Sequence, residues 1–122
     1  MSFSRIRGIK RSQKESSIFK IVSKLYLEVS LENNLLAGLI PTRAELSSDK
    51  SNCEILFYDP EGIEAFEKKL DTLKLYKPSI RHALAKSMDA RYVPNLIFKF
   101  DEQFEKAQRI NELLDKVKKE DK

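Results

Sequence analysis

The chain of 122 residues holds one cysteine and one histidine. Cys53 alone cannot close an intrachain disulfide, so nothing suggests an oxidising compartment and a reduced, cytosolic setting fits. A zinc site built from cysteine and histidine would lack ligands. His82 has no placed partner that would make it a base. No apolar run approaches the ~18 residues needed to cross a membrane. The basic start, MSFSRIRGIKRSQKESS, lacks the continuous apolar stretch of a signal peptide and is read as part of the working protein. Carboxylates are plentiful but lie among lysines, as at Glu64 and Lys68 or Glu112 and Lys116. That i, i+4 spacing belongs to solvated helix faces, not to a paired acid and base. No catalytic residue, metal ligand, cofactor or small-molecule substrate is expected.

What is present is a soluble composition, 41% hydrophobic and 34% charged. The length suits one domain, which should bury roughly two thirds of its unfolded surface. The net charge is +4, which permits a polyanionic partner without selecting one. The distribution says more. Between Met1 and Lys24 stand Arg5, Arg7, Lys10, Arg11, Lys14, Lys20 and Lys24, against the single acid Glu15. That excess is larger than the net charge of the whole chain, so the remainder is slightly acidic.

Periodicity divides the chain into seven elements. Ile18, Val22, Leu25 and Val29 share one face of a helix over 12–30, which Asn33-Asn34 ends. Residues 36–46 read as a strand in which Pro41 marks an edge, a bulge or the strand's beginning. Ser47 to Lys50 suit a hairpin turn. Cys53, Ile55 and Phe57 then alternate with polar and outward positions in a second strand, with Cys53 in the core. Asp59-Pro60-Glu61-Gly62 stops it. Phe66, Leu70 and Leu73 line a helix over 63–75. Ile80, Leu84 and Met88 continue helical spacing over 79–88, as a second helix or as one kinked at Pro78. Leu96, Phe98 and Phe100 alternate in a third strand over 95–100, entered through Pro94 and closed by Asp101, a candidate N-cap. The last helix covers 104–119, with Ile110, Leu113, Leu114 and Val117 as its apolar face. Phe98 and Phe100 are read as core under the helices in preference to platforms for stacked bases.

This order predicts a single α+β domain in which helices pack on one face of a three-stranded sheet. The α-β-β-α-α-β(-α) order resembles the type II K-homology fold. The residues resemble those of the bacterial ribosome-binding factor A family. They are the hairpin AELSSDKSNCEILFY with its Leu46-Ser47-Ser48-Asp49 turn, the half-helix SIRHALAKSM with Ile80-Arg81, and VPNLIFKFDEQFEKAQRINELL at the end. The likeness spans 12–117. It departs where the family carries Ala-x-Gly between its second and third helices, since Tyr76, Lys77 and Pro78 stand here. The Gly-x-x-Gly clamp of ordinary K-homology domains is absent, as it is in that family, so clamping of single-stranded RNA nucleotide by nucleotide is not expected.

The resemblance implies a non-catalytic assembly factor that binds the immature small (30S) ribosomal subunit near the ends of its 16S rRNA, late in maturation. It implies a cytoplasmic setting in a bacterium or an organelle of that type. The expected domains are a basic arm over 1–11, a ribosome-binding domain over 12–117 and a charged tail over 118–122, in a monomer. From charge alone, the candidate RNA contacts are Arg5, Arg7, Lys10, Arg11, Lys14, Lys77, Arg81, Lys86 and Arg91, with Tyr76 and Tyr92 beside them. Lysines turned outward from an amphipathic helix can follow phosphates without reading bases. Two other readings compete. One is a basic protein-interaction adaptor without RNA binding, which an exposed apolar patch on the last helix would favour. The other is a small RNA-acting enzyme, against which the missing histidine pair and nucleophile argue.

Overall fold

The structure, a computed structural model, describes residues 3–88 and 93–120, and the side chains of 12–88 and 93–118. The elements are α1 (Phe3–Glu32), a 3₁₀ turn (Asn34–Leu36), β1 (Ile40–Leu46), β2 (Asn52–Tyr58), α2 (Ile63–Leu75), α3 (Lys77–Met88), β3 (Asn95–Phe100) and α4 (Glu102–Glu120). The expected order holds, and β2, α2 and β3 begin and end where alternation and helical spacing put them. The first and last helices run on to Glu32 and Glu120, past the expected 30 and 119, and four larger differences have a physical reason. The first helix begins at Phe3, not at Ser12, because a helix once nucleated extends through any neighbour that does not break it. Residues 36–46 divide into the 3₁₀ turn and a shorter strand, since Gly38 has φ +91° and turns the chain there. The second half-helix starts at Lys77, with Pro78 in its first turn, where a missing N–H costs nothing. Pro78 therefore opens a new helix and does not kink an old one. The last helix begins at Glu102, directly after its cap.

The sheet runs β1-β2-β3. β1 and β2 are antiparallel, with Leu46 opposite Cys53 and a register shift between Pro41 and Arg43. The proline thus lies on an edge strand beside a bulge, where a ladder donor is not required. β2 and β3 are parallel, with Ile55 beside Phe98, so the chain crosses over through α2 and α3 between them. Cys53, Ile55 and Phe57 on the central strand are fully buried, as are Leu73 of α2, Leu84 of α3, Leu96 of β3 and Ile18 of α1. Phe57 is the hub. Its ring meets Tyr26 edge-on at 5.3 Å, Phe98 edge-on at 5.6 Å and Phe66 stacked at 6.4 Å. Such pairs add about 0.5–1.5 kcal/mol each beyond the area they bury.

Polar ties fix the layers. The Tyr26 hydroxyl donates toward the carbonyls of Leu36 (2.9 Å) and Leu39 (2.7 Å). Burial, and secondly the charge of Asp59, pushes its pKa up to about 12. Glu15 accepts the Leu46 N–H at 2.6 Å, anchoring α1 to the outer edge of β1. Lys69 of α2 donates to buried Asp59 at 2.6 Å and to the Ala37 carbonyl at 2.7 Å. Asp101 gathers the most. It is 2% exposed and accepts from Thr42 Oγ1 (2.6 Å), Arg43 Nε (3.1 Å) and the Phe104 N–H (2.9 Å). Burial raises its pKa, but the hydrogen bonds from Thr42 and Phe104 and the Arg43 charge outweigh burial and leave the pKa below its ordinary 3.8.

A carboxylate with a depressed native pKa adds stability above its ordinary pKa and loses it as pH falls through the native value. Asp101→Ala is expected to lower the unfolding free energy at pH 7 by about 2–3 kcal/mol, from a lost cap and lost charge-assisted bonds. Urea unfolding of the wild type and of Asp101→Asn should show a gap at pH 7 that narrows as pH falls below the ordinary carboxylate value of 3.8 and through the lower native one. A gap independent of pH would show that the ionised carboxylate is not what stabilises the joint.

Candidate nucleic-acid interface

The helix-bearing side and the open side of the sheet differ in how their charges are used. On the open side, cations and acids neutralise one another. Arg43 pairs with Glu45 (2.9 Å) and Asp101, and Lys99 with Glu54 (2.7 Å). On the helix side, α1 and α3 pack directly together. Their directions follow from the ties at each end. Asn33, just past α1, donates to the Tyr76 hydroxyl just before α3, at 3.0 Å. Glu15 lies at the hairpin end of the sheet through Leu46. The chain leaving α3 reaches the same end, where the Asn95 N–H meets the Ser51 carbonyl. The two helices are therefore antiparallel.

This arrangement brings the described cations of both helices onto one side. Lys20 and Lys24 of α1 and Arg81 and Lys86 of α3 are exposed, while Lys14 and Lys77 are half-buried. Among the described residues none of these six has an ion pair. α3 carries no acid, and Glu15 of α1 is turned to the Leu46 amide. Lys14 lies toward the Lys86 end and Lys24 toward the Lys77 end. Two side chains are positioned by their neighbours. Lys77 Nζ sits 5.6 Å from the Phe98 ring centroid, which holds its stem against the core while leaving the charge accessible. Arg81 donates to the Val93 carbonyl at 3.3 Å. Toward the C-terminal end of α1 the outward stripe becomes apolar at Leu27 and Leu31, which bounds the cationic area.

Of the residues expected from the sequence, Lys14, Lys77, Arg81 and Lys86 are brought together on this side. The side chains of Arg5, Arg7, Lys10 and Arg11, and Arg91 and Tyr92, lie outside the described residues. Tyr76 is half-buried and occupied by Asn33, which makes it a structural contact. Lys20 and Lys24 join the set, and helical spacing could have supplied them, since they lie opposite Ile18 and Val22. His82 is exposed, and Phe98 is buried with Leu96, in keeping with the core reading of β3. Glu64–Lys68 and Glu112–Lys116 do not form ion pairs. Among the described residues the pair that does form at this spacing is Glu105–Arg109, at 3.1 Å.

A cleft of about 320 Å³ between α1 and β1 is lined by Ser12, Glu15, Ser16, Phe19, Thr42, Arg43 and Ala44, and its one carboxylate is turned to a backbone amide. Among the described residues no three His, Cys, Asp or Glu side chains are grouped to hold a metal. No described helix is long and apolar enough to cross a membrane.

A three-stranded sheet whose open face pairs its charges, covered on the other face by helices whose cations form no ion pair among the described residues, defines a small α+β binding module. Residues 10–114 match the family model described as "Ribosome-binding factor A". The ribosome-binding factor A of Prochlorococcus marinus strain AS9601 is 33% identical over 110 residues, covering 88% of this chain and 85% of that one. That of Mycoplasmoides gallisepticum is 31% identical over 120 residues, covering 93% and 94%. The chain belongs to the ribosome-binding factor A family. Its fold is shared with the crystal structure of ribosome-binding factor A from Thermus thermophilus, with a TM-score of 0.61 and 22% identity over 72% of this chain and 92% of that one. A solution structure of a Thermotoga maritima protein gives a TM-score of 0.62 and 21% identity, over 73% and 84%.

Cys53 is fully buried, and burial, followed by the charges of Glu15 and Glu54, pushes its thiol up to about 11. Native protein at pH 8 should react with an aromatic disulfide reagent at least about 100-fold more slowly than protein unfolded in urea, because the thiolate is the reacting species. Equal rates would place Cys53 at the surface and reopen thiol chemistry.

Proposed function

We propose that this chain is a ribosome assembly factor that docks on the immature small (30S) subunit and assists late 16S rRNA processing without catalysis, in the cytoplasm of a bacterium. Family membership makes the ribosome the partner. The observation that carries the finer reading is the set of six cations on α1 and α3 with no ion pair among the described residues. Arg5, Arg7, Lys10, Arg11 and Arg91 are proposed to extend it. Binding is electrostatic and shape-based. Each lysine or arginine that meets a phosphate releases a counterion, and no base-reading clamp is required. Folded rRNA suits such a surface better than a single strand, because among the described residues no fully exposed aromatic side chain stands beside these cations.

The test is co-sedimentation of purified protein with free small subunits, large subunits and assembled ribosomes. Binding to free small subunits should weaken by about 10³-fold between about 50 and about 200 mM salt if six phosphates are engaged. The triple variant Lys20→Glu, Lys24→Glu, Lys86→Glu reverses only exposed side chains. It should keep the wild-type circular dichroism and lose small-subunit binding. Undiminished co-sedimentation of that variant would remove α1 and α3 from the interface.

A further inference from the structure

α4 is fastened to the body at one end and on one side. Asp101 caps it, and Phe104 packs against Tyr58 with ring centroids 4.8 Å apart. Phe104, Glu105 and Gln108 are its half-buried positions, and they share the face turned toward the sheet. The apolar side chains lie on the other side. Ile110, Leu113, Leu114 and Val117 are each more than half exposed. Ala107, Ile110, Leu114 and Val117 follow a 3-4-3 spacing, with Leu113 alongside, which makes one continuous ridge. The ridge opposes the anchoring face, so α4 cannot bury it on its own sheet without giving up the Phe104–Tyr58 contact.

The ridge has a basic rim. Arg109, Lys116 and Lys118 flank it, Lys106 stands at its N-terminal end, and Glu112 is the acid beside Lys116. Arg109 is already paired with Glu105. Among the described residues Lys106, Lys116 and Lys118 have no ion pair. Asp115 falls on the anchored side. RNA does not fit the centre of this surface, because branched aliphatic side chains neither stack on bases nor meet phosphates. A second copy fits poorly, because it would gather the lysines of both helices along one rim, and two heptads fall short of the three or four that sustain a coiled coil.

We infer that the outer face of α4 is a helix-in-groove ligand for a protein partner whose apolar groove is rimmed by aspartate and glutamate. Such a partner buries the leucines and completes the unpaired lysines at once. This contact is separate from the docking of α1 and α3 on rRNA and does not rest on it.

The test places a photo-crosslinking residue in the full chain, Leu114→p-benzoylphenylalanine, with Glu64→p-benzoylphenylalanine on α2 as control, in irradiated bacterial cells. One protein adduct is expected at position 114 and not at 64. That protein, once identified and purified, should bind the wild type and bind Ile110→Asp and Leu114→Asp at least about ten-fold more weakly. Both substitutions replace exposed side chains and leave every cation of α1 and α3 in place, so this result is independent of small-subunit co-sedimentation. An RNA adduct, an adduct of twice the chain mass, no adduct above the control, or a purified partner indifferent to Leu114→Asp would each overturn the inference.

Discussion

The buried carboxylate of Asp101 is the constraint on which the joint between sheet and last helix depends. Its side chain holds Thr42 and Arg43 of β1 and the first turn of α4, and its own N–H donates to the Phe57 carbonyl of β2 at 2.7 Å. One residue thus touches both neighbouring strands and caps the helix that follows. A buried carboxylate is tolerable only when its lone pairs are met, and here four donor atoms converge on its side chain, counting the longer Arg43 contact at 3.4 Å. The direction in which α4 leaves the body is set by the same contacts, because Phe104 lies one turn beyond the cap.

The rest of the scaffold keeps charge where it can be used. Acids on the open sheet face are matched to cations of that face. Glu15 is committed to the edge of β1, and Asp59 to Lys69. Glu15 is engaged elsewhere, and Glu28 and Glu32, at the C-terminal end of α1, form no ion pair with Lys24 or Lys77 among the described residues. A cationic surface without ion pairs among the described residues follows on the packed pair α1 and α3, a form that suits a binding factor.

Much of this was legible in the chain. The alternation of Cys53, Ile55 and Phe57 and of Leu96, Phe98 and Phe100 located two strands to the residue, because a half-buried strand enforces period two. Pro78 declared a break but not its kind. Only its place in the first turn of α3 decides that. The start of α1 was hidden because core contacts mark a helix only where it packs, and the first described residue tied to the sheet is Glu15. The run Leu36 to Leu39 was read as strand because short apolar runs carry no period of their own. Of the site, the charge excess was visible and the outward turn of Lys20 and Lys24 could be counted. The union of α1 with α3 could not, since it depends on contacts such as Asn33 with Tyr76 across 43 positions. Asp101 could be guessed as a cap, but its grip on Thr42 and Arg43 has no local signature.

The parallel pairing of β2 with β3 has a consequence for how the molecule is made. The β1–β2 hairpin closes over a few residues, and its turn is organised by Asp49, which accepts from Ser47 and Ser51 and is drawn down to a pKa of about 2 by those bonds. β3 can join only after the chain between Tyr58 and Asn95 has been gathered, with the loop entropy that entails. The hairpin is thus the natural nucleus. The sheet is completed from its local edge toward its distant one, and the Asp101 joint closes among the last contacts.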